Sequence, residues 1–143
     1  MEVVGSAASV IAVIDLSAKI ASICLQYSRD VRHAKADIER FKLEVDSVTN
    51  LLRAVEALLQ VATKTTLSTS IELENALRDC KIELQQINTK LDPGKAGKAR
   101  KVMSKFGARA LKWPLESKEV EKTISRLERC KMTISLALQV DQT

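Results

Sequence analysis

The sequence predicts an all-α fold, an antiparallel four-helix bundle with a hydrophobic N-terminal helix and a basic loop or short helix before the last helix. Aromatic residues make up only 3% of the chain, Gly and Pro are few, and most apolar residues are Leu, Ile, Val and Ala, a composition typical of helical bundles. Four stretches also repeat apolar residues at spacings of three and four, which is the pattern of amphipathic helices. The 143 residues are enough for a single domain, residues 1–143, with a core of its own.

The first helix is predicted from Val3 to Gln26, the most apolar and least charged stretch of the chain. At 100° per residue its polar side chains form one narrow stripe, so the helix needs apolar surroundings on more than one side. We expect it to be the most buried of the four helices. Lipid is the alternative surrounding, because a helix of this length, about 36 Å, could cross a hydrocarbon core if its polar stripe faced water or other helices. The polar stripe consists of Asp15, Lys19, Ser22 and Gln26.

The second helix follows a turn or kink that we place within Ser28 to His33, although no Gly or Pro marks it. It should fade in the Thr/Ser-rich stretch from Thr63 to Ser70, because hydroxyl and β-branched side chains compete with helical hydrogen bonding. Charged pairs at i, i+4 are expected on its solvent side. Its apolar seam consists of Ile38, Phe41, Val45, Val48, Leu52, Val55 and Leu59.

The third helix has the most regular seam of the chain. Thr69 and Glu72 have the spacing of a capping box, and the sequence Asp92-Pro93-Gly94 should end the helix, because Pro disfavours a helical residue before it and Gly permits a turn. The seam consists of Leu73, Leu77, Cys80, Leu84, Ile87 and Leu91.

The segment from Lys95 to Lys112 is strongly basic and contains no acidic residue. Its seven positive charges exceed the formal net charge of +5, so the excess charge of the chain is local. A solvated loop, an anionic-lipid patch and a nucleic-acid patch are the alternatives, since basic clusters bind either kind of anionic surface. The scarcity of aromatic residues for base stacking weighs against nucleic acid. The basic residues are Lys95, Lys98, Arg100, Lys101, Lys105, Arg109 and Lys112.

The fourth helix should begin after Pro114, because proline suits a helix entry and acidic residues in the first turns favour the helix dipole. We expect Trp113 to pack across one end of the bundle rather than contact a ligand. The seam of this helix consists of Val120, Ile124, Leu127, Cys130, Ile134 and Leu138.

The chain offers little for catalysis or cofactor binding. It has one His, no metal-ligand spacing, no acid paired with a nucleophile and no glycine-rich phosphate cradle, so we expect neither an enzyme nor a cofactor or metal site. Cys24, Cys80 and Cys130 are far apart in sequence, and we expect free thiols, mostly in the core, in a reducing compartment. Cys80 in particular is predicted to be a small buried hydrophobe rather than a reactive thiol, because nothing nearby in the sequence would lower its pKa.

Two segments resemble the fungal HeLo-like N-terminal domain found on STAND and NLR-type receptors and on some ankyrin-repeat proteins. They are the start, MEVVGSAASVIAVIDLSAKI, and the stretch from Arg109 to Asp141, RALKWPLESKEVEKTISRLERCKMTISLALQVD. The spacing between them also fits, so the resemblance covers essentially the whole chain. The KWP turn and the helix ending in TISLAL carry it most specifically, whereas the heptad seams would match any bundle.

The resemblance implies a cytoplasmic effector domain, excised from a larger receptor, that is similar in plan to the four-helix domain of the necroptosis pseudokinase and to the coiled-coil domains of plant resistance receptors. Such domains are thought to act in innate immunity and heterokaryon incompatibility. Receptor oligomerisation brings copies together and frees the N-terminal helix, which enters the plasma membrane as a pore-forming element and causes regulated cell death. The residues expected to insert are Val3, Val4, Val10, Ile11, Val13, Ile14, Leu16 and Ile20.

The implied partners are further copies of the domain, anionic membrane lipids through the basic segment, and the downstream receptor module. Asp15 and Lys19 lie within the inserting helix, so the polar stripe would have to face a lumen or a neighbouring copy. A non-lytic oligomerisation or adaptor bundle would need the same seams without membrane activity. A nucleic-acid-binding module is the third alternative, and it would bind duplex or single strands with a steep salt dependence.

Overall fold

Four helices make up most of the chain that the computed structural model describes. The described backbone covers residues 2–31, 33–61, 67–92 and 113–142, and the described side chains cover 9–31, 33–59, 71–92 and 113–138. No strand occurs within these ranges, so the predicted all-α four-helix fold is confirmed. The helices are α1 (Glu2–Asp30), α2 (Lys35–Val61), α3 (Leu67–Leu91) and α4 (Ser117–Gln142).

The helices form a ring in which α1 and α4 occupy opposite corners. α1 packs against α2 and α3, and α4 packs against the same two helices. The predicted seams of α2 and α3 face the centre and are buried throughout, except that Leu59 is half-buried. Among the described side chains, α1 buries about as large a share as α2 and α3 and a larger share than α4, and like every helix of a four-helix ring it keeps one face in solvent. The largest fully buried side chains are Phe41, Ile20, Ile38, Leu52, Leu77, Leu84, Leu91, Leu127 and Ile134.

Trp113 closes one end of the bundle, as predicted. Its ring makes edge-to-face contacts with Tyr27 at 5.2 Å and with Phe41 at 5.8 Å between centroids. Tyr27 lies near the end of α1 and Phe41 near the start of α2, so the contacts tie three segments together at this end. Such aromatic pairs add about 0.5–1.5 kcal/mol each beyond the area they bury.

The connection between α1 and α2 begins later than the sequence predicted. The helix continues through Ser28 to Asp30, because Tyr27 and Val31 extend its buried face at the helical spacing, and the Val31 amide donates to the Tyr27 carbonyl at 2.9 Å. Ala34 then adopts a left-handed backbone with φ of 59°. The chain therefore turns at an alanine, a residue type that rarely adopts this conformation.

The α3 and α4 helices are antiparallel, and two ion pairs between them show the register. Lys90 Nζ lies 3.5 Å from Glu119 Oε2, and Arg126 Nη1 lies 3.6 Å from Glu83 Oε1. The predicted end of α3 before Asp92 is confirmed. Its start lies at Leu67, two residues before the predicted cap, a difference within the usual uncertainty of helix ends.

In α4, the buried face is wider than the predicted seam. The predicted seam residues Val120, Leu127 and Ile134 are fully buried, whereas the other three are half-buried. Thr123 and Ala137 are buried beside them. A contact face built on two neighbouring helices is wider than a single row, which explains why the prediction was only partly right.

We predict that Leu84→Ala lowers the free energy of unfolding by roughly 2–5 kcal/mol, because Leu84 is fully buried and the truncation leaves a cavity. Chemical denaturation followed by circular dichroism measures this change. Ile82→Ala is the matched control on the same helix, since Ile82 is 47% exposed and its truncation should change stability by less than about 0.5 kcal/mol. Equal effects of the two substitutions would contradict the assigned inner face of α3.

Candidate membrane-inserting helix

One face of α1 belongs to the core of the bundle. Val10, Val13, Ile20 and Cys24 are at most 1% exposed, and they follow one another at helical spacings. Of the residues predicted to insert, Val10, Val13 and Ile20 therefore lie on this inner face. Ile14 and Leu16 are half-buried at its two edges, and Val3 and Val4 lie within α1 with side chains outside the described ranges.

The opposite face of α1 is exposed and consists of a polar stripe and an apolar stripe. The predicted polar stripe is there, with Asp15, Lys19, Ser22 and Gln26 all exposed. Beside it runs an apolar stripe that the bundle leaves uncovered. The apolar stripe consists of Ile11, which is 47% exposed, Leu25, which is 42% exposed, and the exposed Ala18 between them.

The expectation that α1 needs apolar surroundings on more than one side is met only in part, because α1 packs against both α2 and α3 while Ile11 and Leu25 stay exposed. The structure turns the two stripes, polar and apolar, outward together and buries the remaining flank. Exposed single apolar residues are normal on protein surfaces, and these three residues are spaced seven positions apart along one helix. The outer surface of α1 is therefore partly polar and partly apolar.

A polar contact within the apolar interface fixes α1 against α2. Thr49 Oγ1 donates to Ser17 Oγ at 2.8 Å, and Ser17 Oγ donates to the Ile14 carbonyl at 3.0 Å. Ser17 is fully buried and Thr49 nearly so. Buried hydroxyls are retained when they are hydrogen-bonded, since leaving one unpaired costs about 1–3 kcal/mol. Sequence reasoning missed this pair because 32 residues separate its members and each alone resembles an ordinary helical hydroxyl.

A second polar contact attaches the end of α1 to α3. The Tyr27 hydroxyl donates to the Leu91 carbonyl at 2.8 Å, and this carbonyl is at the C-terminal end of α3, where helical carbonyls have no partner within the helix. The ring of the same tyrosine packs against Trp113. The C-terminal end of α1 is thus held by hydrogen bonding and by aromatic packing.

The part of α1 from Ser9 to Asp30, 22 residues, is long and apolar enough to cross a membrane. Core helices of soluble proteins and signal sequences can have the same length and composition. Within the bundle 33% of the apolar window in α1 is buried, a share similar to that of the described residues of α3. The full helix of 29 residues is about 43 Å long at 1.5 Å per residue.

The predicted anionic-lipid patch from Lys95 to Lys112 lies outside the described residues. The described residues on either side of it, Asp92 and Trp113, can be placed. Asp92 follows Leu91, whose carbonyl binds Tyr27, and Trp113 packs on Tyr27. The basic segment is therefore connected to the bundle at the end where α1 finishes, opposite the end where α1 begins.

The three cysteines are free, as predicted, with Cys24 and Cys80 buried and Cys130 half-buried. Burial raises the pKa of the Cys24 thiol to about 12, which keeps it protonated. Among the described residues, no group of three or more His, Cys, Asp or Glu side chains is placed to hold a metal ion.

We predict that Thr49→Val lowers the free energy of unfolding by about 1 kcal/mol, because it removes a buried inter-helix hydrogen bond while keeping the shape of the side chain. Combining it with Ser17→Ala should lower stability by less than the sum of the two single effects, since the pair is then lost together. Urea unfolding and hydrogen exchange of the α1 amides measure this.

Thr133→Val is the matched control. Thr133 lies exposed on α4 and donates only to the Arg129 carbonyl one turn back, at 2.9 Å, as a threonine without an inter-helix partner would. Its replacement should change stability by less than about 0.5 kcal/mol. Strictly additive effects of the Ser17 and Thr49 substitutions would mean that their contact contributes nothing to holding α1.

No protein-family model, curated protein or solved structure matches the chain. The four-helix arrangement is compatible with a HeLo-like fold, and the resemblance to that family rests on the sequence segments alone. The structure therefore establishes an all-α bundle, and everything finer about family and activity is a matter of proposal.

Proposed function

We propose that this domain is the HeLo-like N-terminal effector of a fungal NLR/STAND-type receptor. On oligomerisation it inserts α1 into the plasma membrane, permeabilises it and causes regulated cell death. The observation that supports this proposal best is the length and composition of α1: within the described ranges it is the one helix long and apolar enough to cross a membrane. It packs against α2 and α3 and can leave the bundle by separating from both.

Release of α1 from the bundle is costly, so it requires a driving force. The inner face buries several aliphatic side chains, the Tyr27 ring and the Ser17 hydroxyl. At about 1.5–3 kcal/mol for each buried apolar side chain, the six on this face give a loss of roughly 9–18 kcal/mol, which is an upper estimate. This is comparable to the entire stability of a small domain, about 5–15 kcal/mol. An isolated domain would accordingly keep α1 docked.

Insertion of a single copy would not supply that driving force. The eight Val, Ile and Leu residues between Val3 and Ile20 would favour insertion by about 2.5–5 kcal/mol, whereas Asp15 and Lys19 within the hydrocarbon core would oppose it by up to about 5–7 kcal/mol. The balance changes when the polar stripe faces a water-filled lumen or a neighbouring copy. The proposal therefore requires assembly of several copies before or during insertion, with the apolar stripe turned to lipid.

The basic segment would bring the bundle to an anionic leaflet. Its attachment points lie at the end of the bundle where α1 finishes, and α1 begins about 43 Å away at the other end. A bundle standing on its basic end would hold the start of α1 far from the lipid. The domain would therefore lie on its side, or release α1 first, in order to insert. In this proposal the domain is cytoplasmic until activation and then moves to the plasma membrane.

The second candidate function is a non-lytic oligomerisation or adaptor bundle. The apolar stripe of Ile11, Ala18 and Leu25 favours it as much as it favours insertion, because an uncovered apolar stripe can bind a partner helix. The two functions differ in what happens after assembly. An adaptor would assemble without permeabilising lipid, so leakage of dye from liposomes separates them.

We predict that Ile11→Glu leaves the fold intact and abolishes dye leakage when copies of the domain are joined through a chemically induced oligomerisation module. Ile11 is 47% exposed, so the bundle should accept a charge there. It lies about 12 Å along the helix from Val3, which is close to the middle of a 30 Å hydrocarbon core. A charge at that depth costs roughly 2.5–3.5 kcal/mol in each copy.

The matched control is Ile82→Glu on α3, where an isoleucine with the same 47% exposure lies on a helix that is not proposed to insert. This variant should melt and leak like the parent. Leakage by both variants at the parent's level would exclude α1 as the inserting element. An oligomerised parent that never leaks would favour the adaptor function.

We predict that replacing Lys98, Lys101 and Lys105 with Gln reduces co-sedimentation with phosphatidylserine vesicles by roughly a hundredfold, at about 1 kcal/mol per basic residue near an anionic surface. The control replaces the exposed α4 residues Lys118, Lys122 and Arg129, which removes the same number of charges from another surface. Equal losses would assign binding to net charge alone. Tight, salt-sensitive binding of a duplex oligonucleotide by the parent, lost with the three lysines, would instead favour the nucleic-acid alternative.

A further inference from the structure

Two of the three cysteines face each other across the interface between α3 and α4. The ion pairs Lys90 to Glu119 and Glu83 to Arg126 run down the two antiparallel helices, and one further turn brings Cys80 opposite Cys130. A hydrogen bond between the two thiols is the largest influence on the pKa of each. Cysteines separated by 50 residues in sequence are thus neighbours in the fold.

The two thiols have different environments. Cys80 is fully buried, whereas Cys130 is half-buried at the edge of the same interface. The hydrogen bond with Cys80 lowers the pKa of the Cys130 thiol, against the opposing effects of partial burial and of Glu83 and Asp79, and Arg129 adds to the lowering. The same hydrogen bond, together with burial, raises the pKa of the Cys80 thiol. Cys130 is therefore the thiol that ionises first and is open to solvent.

We propose that Cys80 and Cys130 are a redox-active pair that hydrogen peroxide converts to an inter-helix disulfide. The Cys130 thiolate attacks one peroxide oxygen, which forms a sulfenic acid and releases the other oxygen as water after protonation. The Cys80 sulfur then attacks the sulfenic sulfur, which forms the S–S bond and releases a second water. Two thiols lose two electrons in total, and one peroxide is reduced to two waters.

The disulfide would join α3 to α4 and would not touch α1, which packs on α2 and α3. It would also close a loop that contains the whole basic segment. A covalent loop of this size stabilises mainly by restricting the unfolded chain. The oxidised protein should therefore melt on the order of 10 °C higher than the reduced protein, while α1 stays free to separate from its neighbours.

The test treats the folded, reduced domain with a small excess of hydrogen peroxide, blocks the remaining thiols with an alkylating agent and maps the peptides without reduction. The expected result is one intramolecular Cys80 to Cys130 disulfide and one alkylated Cys24. Cys24→Ser is the matched control and should form the same disulfide. Cys130→Ser should form none, and its melting temperature should not respond to peroxide.

The proposal does not depend on any variant folding, since the parent protein alone gives the peptide map. Three alkylated cysteines after treatment would overturn it. So would Cys130 oxidised to sulfinic acid beside a free Cys80, or dimers joined through Cys130. Cys80→Ala, which keeps a small apolar side chain at the buried position, should leave Cys130 as a sulfenic acid that dimedone captures, and an intact Cys130 thiol there would also contradict the mechanism.

Discussion

The structure depends on the interface by which α1 buries one flank against α2 and α3. Core aliphatic side chains supply most of its stabilisation, and the hydrogen bond from Thr49 to Ser17 gives it a defined register. A hydrophobic contact alone tolerates sliding or rotation of a helix, whereas a buried hydroxyl pair is satisfied in a single alignment. The outer surface of α1, with its polar and apolar stripes, follows from that alignment.

The sequence predicted the fold class and the seams of α2 and α3 because those helices have one apolar face each, and periodicity then identifies the face that is buried. It could not do so for α1, which is apolar on two flanks. Ile11 is apolar and exposed, while Ser17 is polar and buried. Which flank of α1 is buried depends on the partner helix. The hydrogen bond from Thr49 allows Ser17 to be buried there.

Two other features depend on tertiary structure in the same way. Ala34 makes the turn before α2 in a left-handed conformation, so the sequence carries no glycine signal there. Cys80 was expected to have nothing nearby that would lower its pKa, and its pKa is in fact raised, but its neighbour Cys130 becomes visible only when the antiparallel register of α3 and α4 is known. Neither feature can be recognised from the spacing of residues in the sequence.

The charges on α1 and the cost of releasing it lead to the same conclusion about activation, if the helix inserts as proposed. Leaving the bundle costs α1 roughly 9–18 kcal/mol as an upper estimate, and a lone α1 gains too little from lipid to offset both that cost and the burial of Asp15 and Lys19. Membrane contact by one copy is therefore insufficient. Contacts between copies must stabilise the inserted state, which makes the extent of oligomerisation, rather than access to lipid, the quantity that controls the switch.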